Sequence, residues 1–312
     1  MSVRLGALLV STTLCASPAA PLAAQPEPVI RVGMTAGDAF AEAYYAQETG
    51  LFKKAGIRAE IRPFSTGAAI STGMNSDAID VGISNVMNVS KAVARGAPFV
   101  LLAGGGMYSA KSPIVALNVL RDSPIRSARD LEGRTVAITA LGDTAQVGIA
   151  AWMDRNGASA SKVHFIELAW ADQEAALENR LVDAVLATEP WLSAALKRGY
   201  ARVLARPYDD IDSQFVIGVW FTTATWYAKN RTLAKRFADV IYQAGRWGNT
   251  HHEQSARLLA KYSKIDVQTI RSMTRAPYAQ SLDVSLIQPQ LNLAYRYHTI
   301  DRPIDASALI AR

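Results

Sequence analysis

Five short polar turns carry the hydroxyl, carboxamide and carboxylate groups with which this chain could hold a ligand: Thr35-Ala36-Gly37-Asp38, Ser65-Thr66-Gly67, Ser84-Asn85, Gly142-Asp143-Thr144 and Thr188-Glu189. Each follows an apolar run that reads as a strand, and most precede a helical pattern. A helix amino terminus offers unpaired backbone N–H groups and a partial positive charge, so such turns receive anions. The same residues also serve as ordinary helix caps, worth about 1 kcal/mol each. Convergence of several turns on one cleft, rather than any single turn, makes the case for binding.

Catalytic chemistry finds less support. The histidines are His164, His251, His252 and His298, and none has partners at the spacing of a zinc site, so no metal is expected. No nucleophile elbow, phosphate loop or dinucleotide fingerprint occurs, and neither a cofactor nor a catalytic residue is assigned. Asp80 and Asp183 stand just before strands, at the end of a sheet opposite the polar turns. Of the tryptophans, Trp152, Trp170, Trp226 and Trp247 read as core. Trp191, beside the strand ending at Thr188, and Trp220, at an expected crossing between lobes, are placed toward the cleft.

The turns need elements to hold them. Apolar runs at 29–34, 57–64, 79–83 and 99–103 alternate with helical patterns, which implies a parallel, doubly wound sheet. The layout then recurs. Asp80-Val81-Gly82-Ile83-Ser84-Asn85 leads through a helical pattern to Arg95-Gly96, and Asp183-Ala184-Val185-Leu186-Ala187-Thr188 leads likewise to Arg198-Gly199. A repeat on this scale predicts two α/β lobes built alike, with a cleft between them. Gly104-Gly105-Gly106 marks the crossing into the second lobe, and the apolar stretch 216–222 the crossing back. The first lobe is expected over 25–108 and 221–312, with a helical tail packed on it, and the second over 109–220.

Residues 1–24 read as a secretory signal peptide: Arg4 is the only charge before Glu27, 5–14 is a short apolar run, and a small-residue stretch ends at Ala24, the expected cleavage point. Cys15, the sole cysteine, lies in that segment behind Leu14, a poor context for lipid attachment, so the exported chain would carry no thiol. The expected compartment is the periplasm. A formal charge of +6 with no run of Lys or Arg longer than two gives no basic stripe for nucleic acid. No later apolar run has the length of a membrane span.

Several segments together resemble a known family: Gly50-Leu51-Phe52-Lys53-Lys54-Ala55-Gly56-Ile57, Asp77-Ala78-Ile79-Asp80-Val81-Gly82, Arg95-Gly96-Ala97-Pro98, Asp130-Leu131-Glu132-Gly133-Arg134 and Glu189-Pro190-Trp191. In order and spacing they are similar to the periplasmic solute-binding proteins of ABC importers for nitrate, sulfonates, taurine and thiamine-precursor pyrimidines, over about 29–262. The resemblance implies a type II periplasmic binding fold, two lobes closing by a hinge over a small-molecule solute, and delivery of that solute by a monomer to an inner-membrane permease. By position, the family's binding turns would fall on Thr35, Asp38, Ser65, Thr66, Asn85, Gly142, Asp143, Thr144 and Glu189, with Tyr108 or Trp191 as a stacking surface for a ring. Sulfonate binders would favour uncharged donors there. Asp38, Asp143 and Glu189 depart from that pattern and fit a solute that also carries an amine, an amidine-like nitrogen or hydroxyls. Two alternatives stand beside the importer: a pyrimidine-precursor synthase on the same fold, which would need reactive His and Cys residues, and a ligand-binding partner of a membrane sensor kinase.

Overall fold

The computed structural model describes residues 27–311, so the expected signal peptide and Cys15 lie outside the described residues. Among the described residues, twelve strands form two five-stranded sheets and a two-stranded crossing. The strands are β1 (Val29–Met34), β2 (Arg58–Pro63), β3 (Val81–Asn85), β4 (Phe99–Gly104), β5 (Met107–Ser109), β6 (Val115–Leu120), β7 (Thr135–Ile138), β8 (His164–Glu167), β9 (Ala184–Thr188), β10 (Ala201–Ala205), β11 (Gln214–Val216) and β12 (Gly218–Thr223). The helices are α1 (Glu42–Glu48), α2 (Leu51–Lys54), α3 (Gly67–Asn75), α4 (Val86–Ala94), α5 (Thr144–Arg155), α6 (Trp170–Glu178), α7 (Trp191–Arg198), α8 (Ala224–Lys229), α9 (Arg231–Thr250), α10 (His252–Ser263), α11 (Val267–Ser272) and α12 (Gln288–Arg296).

The sheets have the orders β2-β1-β3-β12-β4 and β8-β7-β9-β6-β10, and they match strand for strand. Each is parallel except for one strand, β12 in the first and β6 in the second, which runs antiparallel between the two strands it pairs with. This corrects the expectation of a purely parallel sheet. The odd strand is in each case the one that enters directly from the crossing, where the chain arrives from the other lobe and runs the opposite way. β6 answers to no expectation above. Its run VALNVL lacks the alternation of a half-buried strand, and all six residues are buried, as befits a strand covered on both faces.

The repeated aspartates explain themselves at the bases of the sheets. Asp80 accepts the Arg31 N–H at 2.8 Å and returns its own N–H to the Arg31 carbonyl at 2.8 Å. Asp183 does the same with Thr135, at 2.9 Å both ways. Asp80 therefore pins β3 to β1, and Asp183 pins β9 to β7.

The lobes join through β5 and β11, an antiparallel pair. Gly106 lies directly against the Ala39 backbone, a contact that any side chain would block. β12 already belongs to the first sheet from Gly218 onward, so the expected boundary at 220–221 falls inside a strand. The tail is also corrected, because it leans on both lobes. α9 packs along α1, whereas Lys197 of α7 bonds Asp266 at 3.1 Å ahead of α11, and Thr144 of α5 bonds Gln290 of α12 at 3.1 Å. Among the described residues no helix is long and apolar enough to cross a membrane.

Candidate functional site

The carboxyl ends of the two sheets face each other, the position at which open α/β sheets receive ligands. Between them lies a cavity of about 30 Å³, room for roughly two water molecules. Its polar wall is Asn85 at the end of β3, Thr139 and Asp143 after β7, and Thr188 at the end of β9. Its apolar wall includes Phe40 from the first lobe and Trp170 and Tyr208 from the second. The Phe40 and Trp170 rings meet across the cleft with centroids 5.4 Å apart. The lobes are thus shut on one another.

Two caps frame this cavity. Asn85 accepts the Asn88 N–H at 2.8 Å and so starts α4. Asp143 starts α5: its Oδ1 accepts the N–H groups of Ala145 at 2.9 Å and Gln146 at 3.2 Å, and its Oδ2 accepts the Thr139 hydroxyl at 2.7 Å. Burial pushes the Asp143 carboxyl up to about 6 even against these bonds and the more distant Lys91. Lys91, on α4, reaches across the mouth to the Leu141 carbonyl of the second lobe.

The other residues singled out above have different employment. Asp38 is fully buried and bound to Arg275, with Nη2 to Oδ1 at 2.9 Å, while the Ala276 N–H reaches its Oδ2 at 2.6 Å. Its own N–H crosses to the Glu189 carbonyl at 3.2 Å, a direct bond between the lobes. The Glu189 carboxylate turns back to Ser193, accepting its hydroxyl at 2.8 Å and its N–H at 3.1 Å, and burial pushes it up to about 7. Thr35 is buried with no partner for its hydroxyl. Ser65 is exposed, Thr66 caps α3 by accepting the Ala69 N–H at 3.2 Å, and Gly142 supplies the left-handed turn (φ 69°) ahead of Asp143. Thr144 spends its hydroxyl on Gln290, away from the cavity. Tyr108 is no stacking surface, because it is buried in the crossing between Tyr208 and Phe215 and donates to Asp209 at 2.6 Å. Trp220 is not at the cleft either: in β12 it is fully buried against Phe237. Trp191 sits behind Trp170, with rings stacked at 5.6 Å, and supports the wall from outside. Of the residues singled out, Asn85 and Asp143 line the cavity.

No group of three or more His, Cys, Asp or Glu is placed to hold a metal ion among the described residues. What remains is a small, largely apolar enclosure with a few neutral hydrogen-bonding groups and one carboxyl. Residues 38–254 match the family described as NMT1/THI5-like. The chain belongs to that family.

Relatives of this NMT1/THI5-like chain include a putative aliphatic sulfonates-binding protein of Escherichia coli, 26% identical over 78% of this chain and 76% of the relative. Among solved structures, the alkanesulfonate-binding protein SsuA from Xanthomonas axonopodis pv. citri, bound to MOPS, is 20% identical with a TM-score of 0.78 over 93% of this chain and 100% of that one. The desulfurization enzyme DSZB shares the fold at a TM-score of 0.65 and 17% identity, over 91% of this chain and 96% of that one. The fold is the two-lobed periplasmic binding protein fold. Sequence reasoning missed Phe40, Trp170 and Arg275. Trp170 read as core because an aromatic in a cleft wall has the same spacing as one in a core, and the same ambiguity hides Phe40. Arg275 had a signal in principle, since a buried arginine needs a carboxylate, but nothing in sequence says that it is buried.

Proposed function

We propose that this protein is the periplasmic solute-capturing component of an ABC importer, closing its lobes over a small organic molecule with a sulfonate-type acidic head and handing it to a permease. The observation that carries this reading is the cavity at the carboxyl ends of both sheets, with Asn85 from one lobe facing Thr139, Asp143 and Thr188 from the other. A site split between lobes is empty work unless closure and binding are coupled, because a solute touching both halves stabilises the shut form. The crossing pair β5 and β11 is the segment about which the lobes would part. The sulfonate class is supported by the relatives described above, and the Asn85 carboxamide, whose Oδ1 holds the α4 cap, has its NH2 to offer an oxyanion.

The desulfurization enzyme among the structural neighbours makes turnover the competing reading. It is disfavoured by composition: the only cysteine, Cys15, precedes the described residues, so the site holds no thiol nucleophile. The test is thermal unfolding of the purified protein in a buffer free of sulfonates, against nitrate, alkyl sulfonates, taurine and pyrimidines, with the recovered compound checked for chemical change. A solute at a thousand times its Kd adds about 4 kcal/mol, raising the midpoint by roughly 5–10 °C. Such a rise with the compound returned intact is the expected result. No rise with any of them, or conversion of the one that binds, would overturn the reading.

A further inference from the structure

The turns that follow β1 and β7 are two copies of one motif, Thr35-Ala36-Gly37-Asp38 and Thr139-Ala140-Leu141-Gly142-Asp143. Both aspartates are buried, at 0% and 1% exposure, yet they are neutralised differently. Asp38 has the Arg275 guanidinium, with contacts at 2.9–3.2 Å. Asp143 makes no ion pair among the described residues. It has the start of α5 and the Thr139 hydroxyl, and burial outweighs both. Lys91 is the cation that acts on it, but that ammonium is committed to the Leu141 carbonyl and does not line the cavity. The other polar groups on the cavity wall, Asn85, Thr139, Thr188 and Tyr208, are uncharged. Oδ2 of Asp143 accepts from Thr139 alone, which leaves it capacity for another donor.

A buried carboxylate held only by neutral donors, and raised by burial in spite of them, is costly unless a cation meets it. The first lobe supplies its own, through Arg275; the second lobe does not. We infer that the solute supplies the missing cation, so that the site takes a small aminosulfonate-type zwitterion, with its ammonium on Asp143 Oδ2 and its acidic head toward Asn85 and the start of α4. This rests on the importer reading and sharpens it from an acidic solute to an aminated one.

The experiment compares taurine with propane-1-sulfonate, which has the same length and carries a methyl group where taurine has its ammonium. Affinities are measured by calorimetry on the wild-type protein and on Asp143→Asn. Taurine should bind wild type about 100-fold more tightly than propane-1-sulfonate. Asp143→Asn should lose most of the taurine affinity and change propane-1-sulfonate by no more than about threefold, since Asn still caps α5. A purely structural aspartate would weaken both solutes together. Equal binding of the two by the wild-type protein would overturn the inference, without recourse to any variant. Binding of propane-1-sulfonate or nitrate but not taurine would overturn it while leaving the importer reading in place. Silence from the whole panel would overturn both.

Discussion

In the first lobe the Arg31 N–H reaches Asp80 at 2.8 Å, and in the second the Thr135 N–H reaches Asp183 at 2.9 Å, each from the same position in a matching sheet. At the opposite ends of those sheets, Asp38 and Asp143 also occupy matching turns, but one is clamped by Arg275 and the other faces a cavity. The bases have kept one structural solution in both lobes because each needs the same strand pinned to the same neighbour. The cleft ends have parted because the tail brings a cation, Arg275, to one and only the neutral Gln290, on Thr144, to the other. What the difference teaches is that a buried carboxylate in this molecule reports on what neutralises it: a contacting cation for Asp38, and for Asp143 only neutral donors and the start of α5, with Lys91 at a distance.

The largest effect should come from removing the built-in cation. Arg275→Met leaves Asp38 buried without its guanidinium, and breaking such a pair on one side costs about 3–5 kcal/mol. Its guanidinium also meets the Tyr45 hydroxyl at 3.0 Å and the Ser255 hydroxyl at 3.0 Å, so the loss includes those bonds. Thermal midpoints should show the drop, and the double variant Asp38→Asn with Arg275→Met should recover part of it. If Arg275→Met proved neutral, Asp38 would not depend on the tail, and the contrast with Asp143 would collapse.

A third buried acid tests whether cations are the only remedy. Glu42, on α1, is 1% exposed and close to Gly105, and its carboxyl has only the Trp220 indole and its own backbone N–H beside it, neither in good hydrogen-bond geometry. Burial pushes it up to about 8, so near neutral pH it holds its proton in the folded protein and loses it in the unfolded chain. Folded Glu42 thus binds more protons than unfolded Glu42 between about pH 4.5 and 8, and its contribution to stability is complete below that window and falls as pH rises through it. The loss is on the order of 3 kcal/mol by pH 7. Glu42→Gln should flatten the decline of the thermal midpoint between pH 5 and 8. An unchanged slope would show that this carboxyl titrates normally.

The lobe pattern was legible in the sequence because strands covered on both faces read as continuous apolar runs, and the aspartate repeat reported a backbone contact that both lobes need. Asn85 and Thr66 were legible as helix caps from local sequence, whereas the cap on α5 falls to Asp143 rather than to Thr144. The fates of Asp38, Thr144 and Tyr108 were not, since each is decided by a partner far along the chain: Arg275, Gln290 and Asp209. Trp220 was misread because the apolar stretch taken for a crossing is a central strand of the first sheet. Local pattern tells which residues stand at strand ends. It does not tell which of those are already occupied by the tail.

The smallest effect, and the one that turns the comparison most directly on the cleft, is the stability of Asp143→Asn without solute. Asp143 is raised by burial from 3.8 to about 6, so above pH 6 the folded protein carries an ionised carboxyl that would be better solvated in the unfolded chain. Its contribution is therefore complete below about pH 4 and declines as pH rises through 6. Asparagine keeps the cap on α5 and removes the charge, so the variant should equal the wild type near pH 4.5 and be up to about 2 kcal/mol more stable at pH 7.5. Asp38→Asn should do the reverse at every pH in that range, because it strands Arg275. With saturating taurine the order should invert, wild type gaining more in midpoint than Asp143→Asn, as expected of a group held in an uncomfortable state for the sake of what it binds. If Asp143→Asn instead lost stability as Asp38→Asn does, the two aspartates would be structural twins, and the cavity would have no charge left to offer a solute.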